Sequence, residues 1–246
     1  MTTAIPLSLS ARHAVYFAPP PRSPWWEAGS HWLGRCAARG EALTQPHVTG
    51  LSPAEMHRLT AAPRRYGWHA TLKAPFRLAD GVSPDQLTDA VQGLCRTQAP
   101  FSLALEVCML GDFLALVPAG DGVVEDCAAV NRLAHACVTQ LHPLAAPLPP
   151  AELARRRQGG GLDARQEDLL QRWGYPHVLE RFRFHFSLTG PLRQEPEPVQ
   201  QALVAAAQQW FGALGPCPCD AVSLFTEPGP GADFAWQSRH PLGGVA

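Results

Sequence analysis

Two short segments of this sequence carry a histidine followed, two residues later, by a hydroxyl side chain. The first is His69 with Thr71, and the second is His185 with Ser187. Histidine has an unperturbed pKa of about 6.5, so near neutral pH one imidazole can remove a proton while a second donates one. On a strand, the hydroxyl lies on the same face about 7 Å away and can donate to a phosphoryl oxygen. Two such motifs supply the base, the acid and the hydrogen-bond donors that phosphodiester cleavage requires.

Both segments alternate in polarity with a period of two residues, which is the period of a β-strand. We therefore predict strands over 66–78 and 181–190, each with one cationic, hydroxyl-rich face that suits an anion. The polar faces hold His69, Thr71 and Lys73 in the first strand and Arg181, Arg183, His185, Ser187 and Thr189 in the second. The opposite faces are predicted to enter the core with Trp68, Ala70 and Leu72 and with Phe182, Phe184, Phe186 and Leu188.

Chance and ordinary structure offer simpler explanations for these motifs. With ten histidines, about one H-x-[ST] combination is expected by accident. His47 with Thr49 stands outside any apolar alternation, and we interpret it as that accidental case. The other two could be half-exposed strands whose polar faces meet water, but this reading does not explain why both occupy the same position in a repeated order of elements.

That repeated order is seen in the predicted elements after each motif. The first is followed by a helix over 83–97 and strands near 101–109 and 112–117. The second is followed by a helix over 196–211 and strands near 220–226 and 232–237. We interpret this as a duplicated strand–helix–strand–strand unit. The remaining predictions are a strand over 11–18 and helices over 24–38, 53–61 and 121–140.

The duplication predicts a single α+β domain over 1–246. Two pseudo-repeated antiparallel sheets with flanking helices would surround a central cleft, with one lobe over 50–120 and the other over 176–240. The segment 143–175 is predicted to be an insertion or linker, because it is rich in proline and glycine.

Composition narrows the classes of partner. The chain has 246 residues, with 20 Lys and Arg against 21 Asp and Glu, so its formal net charge is −1. Without a net positive field it is not expected to bind a long nucleic acid. No apolar run approaches a membrane span and no secretory signal pattern is visible, so we expect a cytoplasmic protein without a membrane partner. The seven cysteines lack zinc-site spacing, and no metal or redox role is expected for Cys217 and Cys219.

The two motif segments resemble the paired signatures of the two-histidine (2H) phosphoesterase superfamily, within it most closely the proteins found with bacterial phosphonate-utilisation operons. The matching segments are Tyr66–Phe76 and Phe182–Gly190. The resemblance implies a bilobal α+β fold and hydrolysis or transesterification of small or terminal phosphodiesters without a metal or other cofactor. It also implies catalytic roles for His69 and His185, with phosphate bound by Thr71 and Ser187. The chain departs from the pattern in having serine rather than threonine in the second motif, which preserves the hydroxyl.

Further candidates come from the neighbourhood of the motifs. Lys73, Arg183 and Thr189 share the histidine faces and could contact substrate or point into solvent. Tyr66 and Tyr16 could stack on a base or sugar, donate to phosphate, or pack. Trp173 and Tyr175 could cap the cleft as a lid, with packing as the alternative. The remaining histidines have no paired acid or metal spacing and are expected on the surface or in packing roles.

We therefore expect a metal-independent phosphodiesterase acting on a small or cyclic phosphodiester or nucleotide, and the resemblance implies a place in phosphonate metabolism. One alternative is an RNA-end 2′,3′-cyclic phosphodiesterase or ligase relative. Another, from a different class, is a non-catalytic protein that binds a nucleotide or phosphate ester. The sequence does not indicate which histidine is base and which is acid.

Overall fold

The structure, a computed structural model, describes residues 11–120, 124–157 and 161–243 and is a mixed α+β fold. Within those residues the α-helices are α1 (Pro24–Leu33), α2 (Pro53–Leu59), α3 (Ala61–Tyr66), α4 (Pro84–Cys95), α5 (Val124–Leu141), α6 (Pro150–Arg157), α7 (Ala164–Trp173) and α8 (Glu197–Phe211). The strands are β1 (Arg12–Phe17), β2 (Arg35–Cys36), β3 (Glu41–Ala42), β4 (Ala70–Phe76), β5 (Phe101–Leu103), β6 (Leu105–Leu110), β7 (Phe113–Pro118), β8 (Phe186–Ser187), β9 (Cys217–Cys219), β10 (Ala221–Glu227) and β11 (Ala235–Pro241). Short 3₁₀ turns occupy His142–Leu144 and Leu179–Arg181.

The helix starts follow the capping signals in the sequence. The side chains of Ser52 and Ser83 each accept a hydrogen bond from the backbone N–H three residues on. The side chains of Glu55 and Gln86 in turn accept from the backbone N–H of the cap residue, so both capping boxes form. The predicted helices at 53–61, 83–97 and 196–211 are confirmed as α2, α4 and α8, although α2 ends at Leu59. The predicted helix at 121–140 is observed from Val124 onward, and residues 121–123 lie outside the described part.

One seven-stranded sheet runs through the described chain in the order β11-β10-β1-β4-β8-β7-β6, with every neighbouring pair antiparallel. The two predicted sheets are therefore joined, and this part of the prediction is corrected. The joint is the pairing of Ala70 in β4 with Phe186 in β8. Hydrogen bonding across it leaves no free strand edge between the two halves.

The two repeated units exchange their hairpins across this joint. The β6–β7 hairpin of the first unit pairs with β8 of the second, whereas β10–β11 of the second unit reaches β4 of the first through β1. The short strands β5 and β9, which follow the helices of the two units, pair with each other. The two halves are not symmetric in the sheet, because β1 lies between β4 and β10, whereas β7 pairs directly with β8.

The extended run predicted at 181–190 is a strand only at Phe186–Ser187. Arg181 ends a 3₁₀ turn instead, and its guanidinium donates to Asp163 at 2.7 Å. Register shifts along β4 after Thr71 bend that strand, which accounts for the short pairing with β8.

The core faces are those that the alternation predicts. Trp68, Ala70 and Leu72 are buried, as are Phe184, Phe186 and Leu188, whereas Phe182 is partly buried. Trp68 stacks on Phe186 with centroids 4.6 Å apart, so the two motif segments share one aromatic core. A smaller cluster containing Tyr16, Phe225 and Phe234 is separate from this core.

The segment predicted as a linker, 143–175, contains helices α6 and α7. Helix α7 buries Leu169 and Leu170, and Asp163 caps its start by accepting from the N–H of Gln166. An amphipathic helix that buries leucines is stabilised by packing, and for this reason the segment is folded structure. Of its three successive glycines, Gly159 and Gly160 lie outside the described residues. Among the described helices, none is long and apolar enough to span a membrane.

Candidate active site

The four motif side chains are brought together by one antiparallel register. Ala70 pairs with Phe186, and each of these residues directly follows a motif histidine. Continuing the register by one residue in each direction sets His69 against Ser187 and Thr71 against His185. All four alternate with the buried residues and so project from the same side of the chain, where diagonal neighbours lie about 7–8 Å apart.

Both imidazoles are held in the same way. Nδ1 of His69 lies 2.8 Å from the carbonyl oxygen of Gly67, and Nδ1 of His185 lies 2.8 Å from the carbonyl oxygen of Arg183. A carbonyl oxygen can only accept, so Nδ1 donates and carries the proton. In the neutral ring, Nε2 is then a free acceptor, and in the imidazolium it is a donor. This is the state in which either histidine can serve as base or acid.

Burial lowers the pKa of both histidines. For His69 it brings the pKa to about 4; the Gly67 carbonyl acts in the opposite direction, and His185 lowers the value further. For His185 burial lowers the pKa, the Arg183 carbonyl opposes this, and His177 adds to it. The influence of His185 on His69 is consistent with both side chains lining the same cavity. At neutral pH both rings are neutral in the empty site.

The two histidines line one cavity of about 400 Å³, which we call the histidine cavity. Thr71, Ser187, Thr189, Tyr66 and Tyr16 also line it, so seven of the nine predicted site residues meet there. Their catalytic and binding roles remain predictions, but their convergence places two proton-transfer groups and several hydroxyls around one small space. A volume of this size accommodates a small ligand.

The two tyrosines pack beside the first histidine. Tyr16 is buried in β1 opposite Thr71, and its ring centroid lies 3.9 Å from that of His69. Tyr66 lies 5.9 Å from His69 and stacks on Phe234 at 5.0 Å. Burial raises the pKa of Tyr16 well above its ordinary value, so its hydroxyl stays protonated. The two tyrosine rings therefore pack against His69, and Tyr16 does not replace it as a base.

Lys73 does not join the histidine cavity, contrary to the prediction. Val15 and Tyr16 are consecutive in β1, but their partners in β4 are Lys73 and Thr71. Leu72 is therefore an extra residue in β4 and forms a bulge. A bulge reverses the alternation beyond it. Lys73 is consequently buried, with 4% of its surface exposed, and Ala74 lines the cavity instead.

Arg183 and Thr189 make contacts that the sequence analysis did not anticipate, and their predicted roles toward substrate stay predictions. The exposed Arg183 side chain lines a neighbouring cavity of about 570 Å³, which shares Thr71 and His185 with the histidine cavity. Its backbone carbonyl, rather than its guanidinium, holds His185. Thr189 is buried, and its hydroxyl accepts the N–H of Leu114 at 3.0 Å, which ties the end of the motif to β7.

Several lining residues were not identified as site residues from the sequence. They are Arg12, Phe113, Arg155, Arg156 and Tyr175, of which Tyr175 was considered only as a lid. The run Arg155-Arg156-Arg157 was a visible cationic signal, but it lies in the segment interpreted as a linker. Arg12 stands alone in sequence and gave no signal.

The arginines are organised around a buried carboxylate. Glu152 in α6, 9% exposed, forms ion pairs with Arg12 at 3.8 Å, Arg77 at 3.2 Å, Arg155 at 3.6 Å and Arg156 at 2.9 Å. Although burial raises the pKa of Glu152, the arginines outweigh it and the pKa is lowered. Four cations around one carboxylate create a positive potential at the cavity wall, which attracts an anion.

A second buried carboxylate lies near the site, but the described cavity wall has no acidic side chain. Arg12 also pairs with the fully buried Glu227, which binds Arg65 as well. No acidic side chain is among the described residues that line the histidine cavity. Nor do the described parts of the chain contain a group of three or more His, Cys, Asp or Glu arranged to hold a metal ion.

Comparisons with known proteins relate the chain to one family and two longer relatives. Two proteins named ribose 1,5-bisphosphate phosphokinase PhnN are each 42% identical to it. The protein from Janthinobacterium sp. (strain Marseille) matches 95% of this chain and 51% of its own length, and that from Laribacter hongkongensis (strain HLHK9) matches 91% and 50%. The chain thus spans about half the length of these curated relatives. The family described as "Protein of unknown function (DUF1045)" matches residues 71–235, a range that begins at Thr71, two residues after His69, and includes the whole second motif. This chain belongs to the DUF1045 family.

Proposed function

We propose that this protein is a metal-independent phosphodiesterase that cleaves a small or cyclic phosphodiester with His69 and His185 as its acid–base pair. The observation that carries the proposal is the register of Ala70 with Phe186, together with the matching Nδ1 hydrogen bonds of both histidines. A packing role would not require two imidazoles with the same tautomer, each beside a hydroxyl, in one cavity.

The proposed reaction is in-line attack of water on the phosphorus. One neutral imidazole accepts a proton from the water as the new P–O bond forms, and the other, as imidazolium, gives its proton to the leaving oxygen as the ester bond breaks. The product is a phosphate monoester. Thr71 and Ser187 donate to the non-bridging oxygens, and Arg155, two-thirds exposed, is available to the phosphate charge.

The low pKa of each free histidine fits this scheme. A bound phosphodiester anion raises the pKa of a nearby imidazole, because opposite charge favours the protonated form. The acid is therefore generated when substrate binds. It follows that the pH optimum of kcat, which reports the bound enzyme, should lie at higher pH than that of kcat/KM, which reports the free enzyme.

The names of the relatives suggest a second function, phosphorylation of ribose 1,5-bisphosphate. This chain matches only half of each relative, and its sequence has no G-x-x-x-x-G-K-[ST] loop to cradle nucleotide phosphates. We assign the phosphokinase activity to the remaining half of those longer proteins. The Phn name and the resemblance to proteins of phosphonate-utilisation operons support a place for this chain in phosphonate metabolism.

Hydrolysis of a 2′,3′-cyclic mononucleotide tests the proposal. We expect turnover that survives EDTA, because the described cavity wall offers imidazoles, hydroxyls and arginines but no carboxylate ligands. Activity lost on chelation and restored by Mn²⁺ would contradict the mechanism. Phosphate-ester binding without any turnover would favour a non-catalytic binding protein, and phosphorylation of ribose 1,5-bisphosphate by ATP would favour the kinase.

A further inference from the structure

A second cavity of about 350 Å³ adjoins the histidine cavity but contains none of the motif histidines or hydroxyls. We call it the lysine cavity, since Lys73 lies in its wall. It shares Ala74, Pro75, Arg156 and Tyr175 with the histidine cavity. The two cavities are therefore neighbours, and the inference below does not depend on the proposed phosphodiesterase activity.

Lys73 is the single lysine of the chain, and it is 4% exposed. Among the described residues it has no hydrogen-bond or ion-pair partner. Its ammonium group makes a cation–π contact, 5.0 Å from the centroid of the Phe76 ring. Burial lowers its pKa to about 8. A buried, unpaired ammonium is unfavourable, because it loses its hydration without gaining a counter-charge.

The groups that face Lys73 do not compensate its charge. From α5 comes Cys137, whose pKa is raised by burial so that the thiol stays neutral. From the following 3₁₀ turn comes His142, whose buried Nδ1 has no hydrogen-bond partner. Burial lowers the pKa of His142, and Lys73 and Arg172 lower it further, which requires both cations to be near.

The rest of the wall is cationic or apolar. Arg172 of α7 is exposed and lines the cavity. Arg156 of α6 also lines it but is already paired with Glu152. Leu148, Leu153 and Leu170 provide apolar surface. Among the described lining residues there is no carboxylate. Two uncompensated cations and the imidazole of His142 thus line one cavity.

We propose that the lysine cavity is a second anion-binding site that takes the phosphate group of a small organic phosphate monoester. A dianion balances Lys73 and Arg172 together, and its oxygens accept from the ammonium, the guanidinium and His142. The leucines face the organic part of the ligand. The monoester is either a separate small molecule or a second phosphate on the diester held in the histidine cavity.

Inorganic phosphate is the probe, and thermal unfolding with calorimetric titration is the readout. The full chain carrying His69→Ala and His185→Ala is used, so that the motif imidazoles cannot contribute. We expect phosphate to raise its Tm by several degrees, and we expect Lys73→Met in the same background to abolish the rise and weaken binding at least tenfold. In phosphate-free buffer Lys73→Met should be no less stable than its parent, because it removes a buried unpaired charge.

Arg132→Met is the matched control, since Arg132 is an exposed cation on α5 outside the cavity. It should leave phosphate binding unchanged, whereas Arg172→Met should weaken it severalfold without altering the core. Phosphate stabilisation that persists in full in both Lys73→Met and Arg172→Met would overturn the proposal, as would the absence of any phosphate binding in the double-histidine background.

Kinetics on otherwise native protein distinguish the two sources of the phosphate. If it belongs to the substrate, Lys73→Met raises KM at least tenfold for a 2′,3′-cyclic nucleotide that bears a 5′-phosphate but not for one that lacks it. If it is a separate ligand, KM changes for neither, and the phosphate-dependent rise in Tm is still lost. Both outcomes support the site. If the protein has no activity on either nucleotide, the phosphate-binding measurements alone decide whether the site exists.

Discussion

Each motif histidine depends on a backbone carbonyl two residues before it. Gly67 and Arg183 supply these carbonyls, and in both cases the imidazole is left with Nε2 available. The same local geometry in both halves allows base and acid to exchange roles between the forward and reverse reactions. The side chain of Arg183 is not required for this, since only its carbonyl takes part.

Replacement of either histidine should remove most activity. We expect His69→Ala and His185→Ala each to lower kcat on a cyclic mononucleotide by about 10²–10⁴-fold, the usual contribution of acid–base catalysis. Thr71→Ala and Ser187→Ala should cost roughly tenfold through weaker phosphate contacts. His47→Ala is the control, because His47 is exposed and does not line the histidine cavity. Equal damage from His47→Ala would show that the motifs were assigned wrongly.

The lowered pKa of His69 predicts acid sensitivity. The unfolded state takes up a proton near pH 6.5 and the folded state only near pH 4, so unfolding is favoured progressively as the pH falls between these values. His69→Gln should flatten this part of the stability curve, measured by urea unfolding from pH 7 to pH 4. A ¹H–¹⁵N titration should also show the His69 pKa rising when inorganic phosphate is added. An unshifted, ordinary pKa in the free protein would contradict the burial argument.

At the level of elements, the turn between α3 and β4 sets the position of His69. Gly67 ends α3 with φ 80° and ψ −177°, a conformation that is open essentially only to glycine. A Cβ there would lie 2.5 Å from Cβ of Ala37. The glycine therefore permits both the backbone conformation and the close approach that aim its carbonyl at the imidazole.

Gly67→Ala should consequently impair stability and activity together. We expect a loss of about 1–3 kcal/mol from the backbone conformation, with a further loss from the contact with Ala37, and a lower kcat as the carbonyl moves away from His69. Gly50→Ala is matched to it, because Gly50 has φ 88° but open space around the missing Cβ. Chemical denaturation should give a smaller loss, about 1–2 kcal/mol, and unchanged activity for Gly50→Ala. Similar kinetics for both variants would argue against the positioning role.

On the scale of the whole molecule, the exchange of hairpins makes each half depend on the other. The second motif strand, β8, pairs with β4 and β7 of the first repeat, so the first motif strand, β4, also pairs with a strand of the second repeat. Trp68 and Phe186 share one aromatic stack. Helix α6 supplies Arg155 and Arg156 to the histidine cavity, and the segment that follows α7 supplies Tyr175. The site exists only where these three parts meet.

Fragments of the chain should therefore not fold alone. We expect residues 1–157 and 161–246, expressed separately, to lack cooperative unfolding by circular dichroism, because each would expose unpaired strand edges and half of the core. Co-expression should restore a complex with a cooperative transition. Independent, cooperative folding of either fragment would show that the repeats are separate domains.

Local sequence pattern was sufficient to predict which residues lie on each face of the motif segments. Alternation is a local property of extended backbone, so the core faces of Trp68 and Phe186 and the shared face of His69 and Thr71 could be predicted without knowledge of any partner strand. The capped helices were predictable for the same reason, since Ser52 and Ser83 act within four residues.

The partners of those faces could not be predicted in this way, because they depend on long-range packing. The bulge at Leu72 arises in the pairing with β1 and moves Lys73 into a different cavity, and no local pattern encodes it. Likewise Arg12 enters the site through Glu152 and Glu227, which lie 140 and 215 residues along the chain. Such ion pairs and strand pairings depend on which distant segments become neighbours when the core is buried, and that choice is made by the packing of the whole chain.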